Sequence, residues 1–137
     1  MIKKFIHGDP ETDEKLFCMI GKLVVNPKLH NELGSAITSL PGDLWYLYLN
    51  KEEKVVEGFC QVRQMKNGHW HLRFLYAGQL GIKTRNALID RAIRDAKAAQ
   101  AVMIYTNDRE TSGIWKLFNF VPYEKQRGSF VRWEKDL

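Results

Sequence analysis

One stretch constrains the fold more than any other. Asn67-Gly68 separates two runs with strand periodicity, and the second run leads into a long amphipathic segment and then a short apolar one. Asn-Gly between alternating apolar residues is the strongest short hairpin signal, because both positions accept positive φ. It predicts antiparallel strands over residues 55–65 and 69–76. On the first strand Val56, Gly58, Cys60 and Val62 take one face and Glu57, Phe59, Gln61 and Arg63 the other. On the second, Trp70, Leu72, Phe74 and Tyr76 are expected to share a face. A helix over about 84–100 carries Leu88, Ile89, Ala92, Ile93 and Ala96 as its buried stripe. The apolar run 101–106 then closes a strand–helix–strand unit, which demands a parallel crossover. The sheet therefore changes from antiparallel to parallel pairing at one strand, and ligands of open α/β sheets sit at such switch points.

The flanking segments fit the same sheet. Residues 2–7 form a short first strand. Asp9-Pro10 and Asn26-Pro27 both read as helix starts, an Asx cap with Pro at the first helical position. Leu16, Met19, Ile20 and Leu23 recur at helical spacing after the first, and Leu29, Leu33 and Ile37 after the second. Pro41-Gly42-Asp43 breaks the chain before Leu44-Trp-Tyr-Leu-Tyr-Leu49, apolar on both faces and so expected to be a central strand. A short helix over about 111–118 is expected to end at Asn119 in the left-handed conformation. Residues 120–124 and 129–134 close the chain as a hairpin over Gln126-Arg127-Gly128. The fold class is α/β of the α+β kind: a mixed, mostly antiparallel sheet flanked by helices, one domain over 1–137.

Composition narrows the function classes. The 137 residues are 45% hydrophobic and 27% charged, as in a soluble globular domain that folds without staples. No apolar run approaches the roughly 20 residues of a membrane span. Lys3 and Lys4 are followed by Asp9, Glu11, Asp13 and Glu14 before any apolar signal core, so a cytoplasmic location is expected. Cys18 and Cys60 lack a short spacing and read as reduced, packed thiols. The net charge of +5 is compatible with an anionic cofactor or a polyanionic partner.

Three stretches resemble the GNAT acyltransferases, and with the element order the likeness spans about residues 2–134. Val55-Val-Glu-Gly-Phe-Cys-Gln-Val62 looks like that family's third strand. Residues 75–89 look like its fourth strand, pyrophosphate loop and third helix. Gly113-Ile-Trp-Lys-Leu-Phe-Asn-Phe-Val-Pro-Tyr123 looks like its late helix and turn, with Asn119 where Gly is usual. The sequence departs from the family pattern at two places. Two late glycines of the phosphate loop are replaced by Lys83 and Arg85, leaving Gly78 and Gly81. Trp115 stands where many members have the Tyr that protonates the departing thiolate. An indole donates a hydrogen bond but cannot act as that acid, which leaves Tyr105 or Tyr123 as substitutes. A narrower resemblance is to GNAT-like proteins of bacteriophages, either DNA-modifying Mom-type proteins or internal virion proteins of podoviruses.

The resemblance implies a function: transfer of an acyl group from acetyl-CoA or a related acyl-CoA to a small or macromolecular amine, by direct attack. It implies that the pantetheine arm bonds backbone near Leu75 and Ala77. Lys83, Thr84 and Arg85, at a helix N-terminus that attracts phosphate, would hold the pyrophosphate. Gly81 and, in a shifted alignment, Gln79 belong to the same loop. Asp108 matches the position where the family often has an Asn that holds the pantetheine or a water, and Trp115 is a further cofactor-binding candidate. His71, Glu57 and Tyr105 are the candidates for proton management. The same residues have plainer readings: His71 as a sheet-packing histidine, Glu57 as a surface carboxylate, Asp108 as a turn or cap. His69 and His71 have metal-like spacing but no third ligand nearby, so no metal is expected. Lys116, Lys125, Arg127 and Arg132 lie among Trp115, Phe118, Tyr123, Phe130 and Trp133, a pattern open to nucleic-acid binding but equally to aromatics in a core. Two further expectations stand beside the enzyme: a catalytically silent GNAT-fold interaction module, and an enzyme acting on a nucleobase. The protein is expected to be a monomer or a homodimer.

Overall fold

The computed structural model describes residues 1–78, 81–125 and 129–137. The elements run β1 (Ile2–Ile6), α1 (Asp13–Val24), α2 (Pro27–Leu33), β2 (Leu44–Leu49), β3 (Val56–Gln64), β4 (His69–Tyr76), α3 (Ile82–Ala98), β5 (Met103–Arg109), α4 (Ile114–Leu117), β6 (Val121–Lys125) and β7 (Phe130–Asp136). Seven strands form one sheet in the order β1-β2-β3-β4-β5-β7-β6. Only β4 and β5 pair in parallel, as the helix between them requires.

Local chemistry sets most boundaries. Asn67 and Gly68 adopt φ of 72° and 75°, the positive values their hairpin needs. Asn26 caps α2 by accepting from the Lys28 N–H at 3.0 Å, and Gly34 ends it with φ 83°. Ile37, expected on the α2 stripe, lies beyond the helix but is buried. The expectation of a helix start at Asp9 is corrected. Asp9 accepts from Glu11, Thr12 and Asp13 N–H groups in a turn, and α1 begins only at Asp13. Asn119 takes the left-handed conformation after α4. The tip of the closing hairpin, residues 126–128, lies outside the described residues.

The sheet separates two apolar layers. On one face Cys60, Val62, Trp70, Leu72, Ile104 and Trp133 pack under α3. On the other, Trp45, Leu47, Phe59 and Phe74 pack under α1 and α2. Phe74 is thus not on the face of Trp70 and Leu72, contrary to the expected alternation. The register jumps from Val62 opposite Leu72 to Gln61 opposite Phe74, so Arg73 is an extra residue in β4. A bulge of this kind reverses the facing of every residue beyond it.

Among the described residues no helix is long and apolar enough to cross a membrane, and no three His, Cys, Asp or Glu side chains are grouped to hold a metal ion.

Candidate active site

The parallel pairing of β4 with β5 runs only from His69–Met103 to His71–Tyr105. Beyond it the two strands part, although β4 continues to Tyr76 and β5 to Arg109. Thr106 marks the fork: its buried hydroxyl donates to the Leu72 carbonyl at 2.8 Å, in place of a ladder bond. Past this point the facing backbone groups of the two strands are not paired with each other.

A cleft of about 290 Å³ fills the fork. Leu75, Ala77 and Arg85 line one side, and Asn107, Asp108 and Trp115 the other. A second cleft of about 280 Å³ adjoins it on the α2 side of the sheet, lined by Ser35, His71 and Phe130 among others. Leu33, Arg73, Phe74 and Asn107 line both, so the two spaces meet at the β4 bulge.

The start of α3 faces the first cleft through Arg85. Gly81 occupies the cap position with φ 59° and ψ −121°, a backbone conformation that favours glycine. Among the described residues no side chain caps this helix, and its first backbone bond runs from Arg85 N–H to the Gly81 carbonyl. The N–H groups of the first turn are therefore open at the positive end of the helix. Arg85 Nε is buried without a hydrogen-bond partner among the described residues. An uncapped helix start beside an orphaned guanidinium nitrogen fits the pyrophosphate of a coenzyme A. Gly58 brings β3 against this corner. A Cβ there would lie 2.6 Å from Thr84 Cγ2 and 2.7 Å from the Tyr76 carbonyl oxygen.

No protein-family model and no curated protein sequence matches the chain. Solved structures do. An acyl-CoA N-acyltransferase from Pseudomonas aeruginosa superposes with a TM-score of 0.72 at 9% identity, over 98% of both chains. A GNAT-family acetyltransferase from Staphylococcus aureus gives 0.63 at 14% identity, over 99% of both. A candidate streptothricin acetyltransferase from Bacillus anthracis, in complex with acetyl coenzyme A, gives 0.57 at 15% identity, over 79% of this chain and 68% of that one.

The fold is that of the GNAT acetyltransferases.

Within this GNAT fold, the residues singled out in the sequence do not all meet. Leu75, Ala77, Arg85, Asp108 and Trp115 line one cleft. Asp108 and Trp115 are bonded to each other: the indole N–H donates to Asp108 Oδ2 at 2.7 Å, while Asp108 Oδ1 accepts from Arg109 N–H. Trp115 is buried, edge-on to Phe120. Lys83 is exposed on the first turn of α3, and Thr84 is buried, its hydroxyl without a hydrogen-bond partner among the described residues; neither lines the cleft. Gln79 lies outside the described residues.

His71 and Tyr105 stack face to face, centroids 4.4 Å apart, and the Arg132 guanidinium lies over Tyr105 at 3.8 Å. Burial first, and then the charges of Arg73, Arg132 and Arg63, push the His71 imidazole down to about 4. It is neutral at pH 7. Tyr105 belongs to this stack, on the face away from Trp115. Glu57 lies far along β3 from Arg63, which is the partner of His71. Six residues of strand separate them, roughly 20 Å, and Glu57 lines neither cleft. Tyr123 is exposed on the edge strand β6.

Sequence patterning missed the network that shapes this site. Asp43, 2% exposed, accepts from Arg63 Nε and Nη2, both at 2.8 Å. Arg73 donates to Gln61 Oε1 at 2.8 Å and to Thr38 Oγ1 at 2.7 Å, and stands 3.5 Å from Asp43. Burial alone would raise the Asp43 carboxyl. The Arg63 bonds, the Leu40 N–H and the charges of both arginines outweigh it and hold Asp43 below the usual carboxylate range. The only sequence signal was a run of polar residues on a strand face, Gln61 and Arg63, that otherwise reads as solvated.

Proposed function

We propose that the protein is an N-acyltransferase that moves an acyl group, acetyl or a close relative, from acyl-CoA to an amine. The observation that carries this reading is the fork between β4 and β5, opening beside the uncapped start of α3. Bound acyl-CoA would supply an activated thioester; the chain supplies placement. Arg85 and the first-turn N–H groups of α3 would hold the pyrophosphate, with Lys83 adding charge from the surface. The unpaired backbone near Leu75 and Ala77 would take the pantetheine amides as an added strand. The Arg73 bulge lies where the two clefts meet, which suits the meeting of thioester and amine.

His71 is too weakly basic to match neutral pH as a proton acceptor. Its neutral ring, locked against Tyr105, serves as a wall of the acceptor space. The burial and, after it, the arginine charges that depress His71 would also favour the uncharged, nucleophilic form of an amine. Glu57 takes no part.

Calorimetric titration with acetyl-CoA and with CoA tests this reading. Saturable micromolar binding is expected, sharply weakened in a Lys83→Ala/Arg85→Ala variant that remains folded. Absence of binding up to millimolar ligand sinks the enzyme reading and leaves a GNAT-fold interaction module.

A further inference from the structure

The acceptor side of the fork has a charge that selects among amines. Among the described residues lining the second cleft there is no carboxylate; its polar groups are Ser35, His71, Arg73 and Asn107. Arg73 and Arg63 share a single carboxylate, and both oxygens of Asp43 already take short bonds from Arg63. The Arg73 guanidinium is otherwise bonded to the neutral Gln61 and Thr38. Its positive charge is thus only partly offset, at the wall where the two clefts meet. Arg132 adds a second guanidinium beyond the Tyr105 ring. It is ion-paired with Glu134 Oε1 at 3.6 Å, and its Nε is buried without a hydrogen-bond partner among the described residues.

We propose that the acceptor is an amine carrying its own anionic group, a carboxylate or a phosphate, which faces Arg73 while its apolar body rests between Phe74 and Phe130. This rests on the acyl-CoA reading above. An ammonium entering the second cleft meets like charge, the carboxylates of the joined space, Glu32 and Asp108, lining only the first cleft, and a polyamine meets it several times over. An anionic substituent reverses the balance for the molecule as a whole. It also leaves the amine where the local field favours loss of its proton. The charges of Arg73, Arg132 and Arg63 reach the imidazole of His71 as well, adding to the larger effect of its burial. Leu33, Phe74 and Phe130 supply the apolar wall.

Matched acceptors test this, with acetyl-CoA turnover read as released thiol. L-Phenylalanine is compared with phenylalaninamide, O-phosphoethanolamine with ethanolamine, and all with spermidine. In at least one pair the anionic member is expected to exceed its neutral partner by about tenfold in kcat/KM, about 1.4 kcal/mol, with spermidine below both. Which pair responds distinguishes a carboxylate from a phosphate. Arg73→Gln should abolish the preference. Because Arg73 belongs to a buried network, Arg132→Gln serves as the second variant and should narrow the preference with CoA affinity unchanged. Equal or better turnover of the neutral amines or spermidine overturns the proposal, as does failure of every anionic acceptor in a protein that binds CoA. Failure to bind CoA at all instead removes the reading beneath it.

Discussion

The Trp115 indole N–H and the Asp108 carboxylate are bonded at 2.7 Å across the wall of the cleft between β4 and β5. Trp115 is therefore a strut between α4 and β5, its N–H already committed. Trp115→Phe keeps the packing against Phe120 but strands an oxygen of Asp108. A loss of about 1–3 kcal/mol is expected from urea unfolding. A change below a few tenths of a kcal/mol would show that the bond is not formed in solution.

Thr106 holds the fork. Thr106→Val preserves shape and removes the only hydroxyl that satisfies the Leu72 carbonyl across the opening. About 1–3 kcal/mol of stability should be lost, since a buried acceptor is left unpaired. CoA affinity should fall in the same variant, because the backbone flanking the cleft shifts. Full affinity by calorimetry would place the fork under other control.

At the start of α3 the contact is steric. Gly58→Ala puts a methyl 2.6 Å from Thr84 Cγ2 and 2.7 Å from the Tyr76 carbonyl. Overpacking of this kind costs about 1–3 kcal/mol. Adding Thr84→Ser removes the first clash and leaves the second, so the double variant should recover only part of the loss. Strict additivity in a double-mutant cycle would contradict the contact.

His71 gives stability a pH dependence. An unfolded imidazole takes its proton near pH 6.5, the folded one near 4. Between those values the unfolded chain binds more protons, so stability falls as pH drops from 6.5 to 4. The full difference is on the order of 3 kcal/mol. His71→Phe keeps a ring on Tyr105 and should flatten this window, measured as unfolding free energy against pH. An unchanged slope would assign the titration elsewhere.

Asp43 is the sole carboxylate between Arg63 and Arg73. Asp43→Asn leaves two partly buried guanidiniums facing each other, at a cost on the order of 3 kcal/mol. The Arg73 bulge should loosen with it, so acyl transfer should fall more than CoA binding does. Equal losses in both would mean that the network supports the fold alone.

Much of this was legible in the residues. Asn67-Gly68, Asn26-Pro27 and Asn119 announced their turns and caps because positive φ and Asx capping are local requirements. The stripe of α3, the alternation on β3 and the wholly apolar run of β2 marked the elements and their order, and with them the parallel crossover. The start of α1 was misplaced because Asp9-Pro10 forms a turn of its own first. The proton candidates were chosen by residue type on three strands, His71 on β4, Glu57 on β3 and Tyr105 on β5. Strand pairing then carried Glu57 roughly 20 Å from His71, a distance fixed by register and not by composition.

Local sequence thus determined which segments are strands and helices and that the sheet must switch to parallel pairing at β4. Tertiary structure decided the rest of the site. The extra residue at Arg73 exists only in the pairing of β4 with β3, and the fork only in the pairing of β4 with β5. The neutrality of His71 comes from burial and from arginines on β3, β4 and β7. Each of these depends on groups distant in the chain brought within a few ångströms, where desolvation and Coulomb interaction outweigh the intrinsic preference of any single residue.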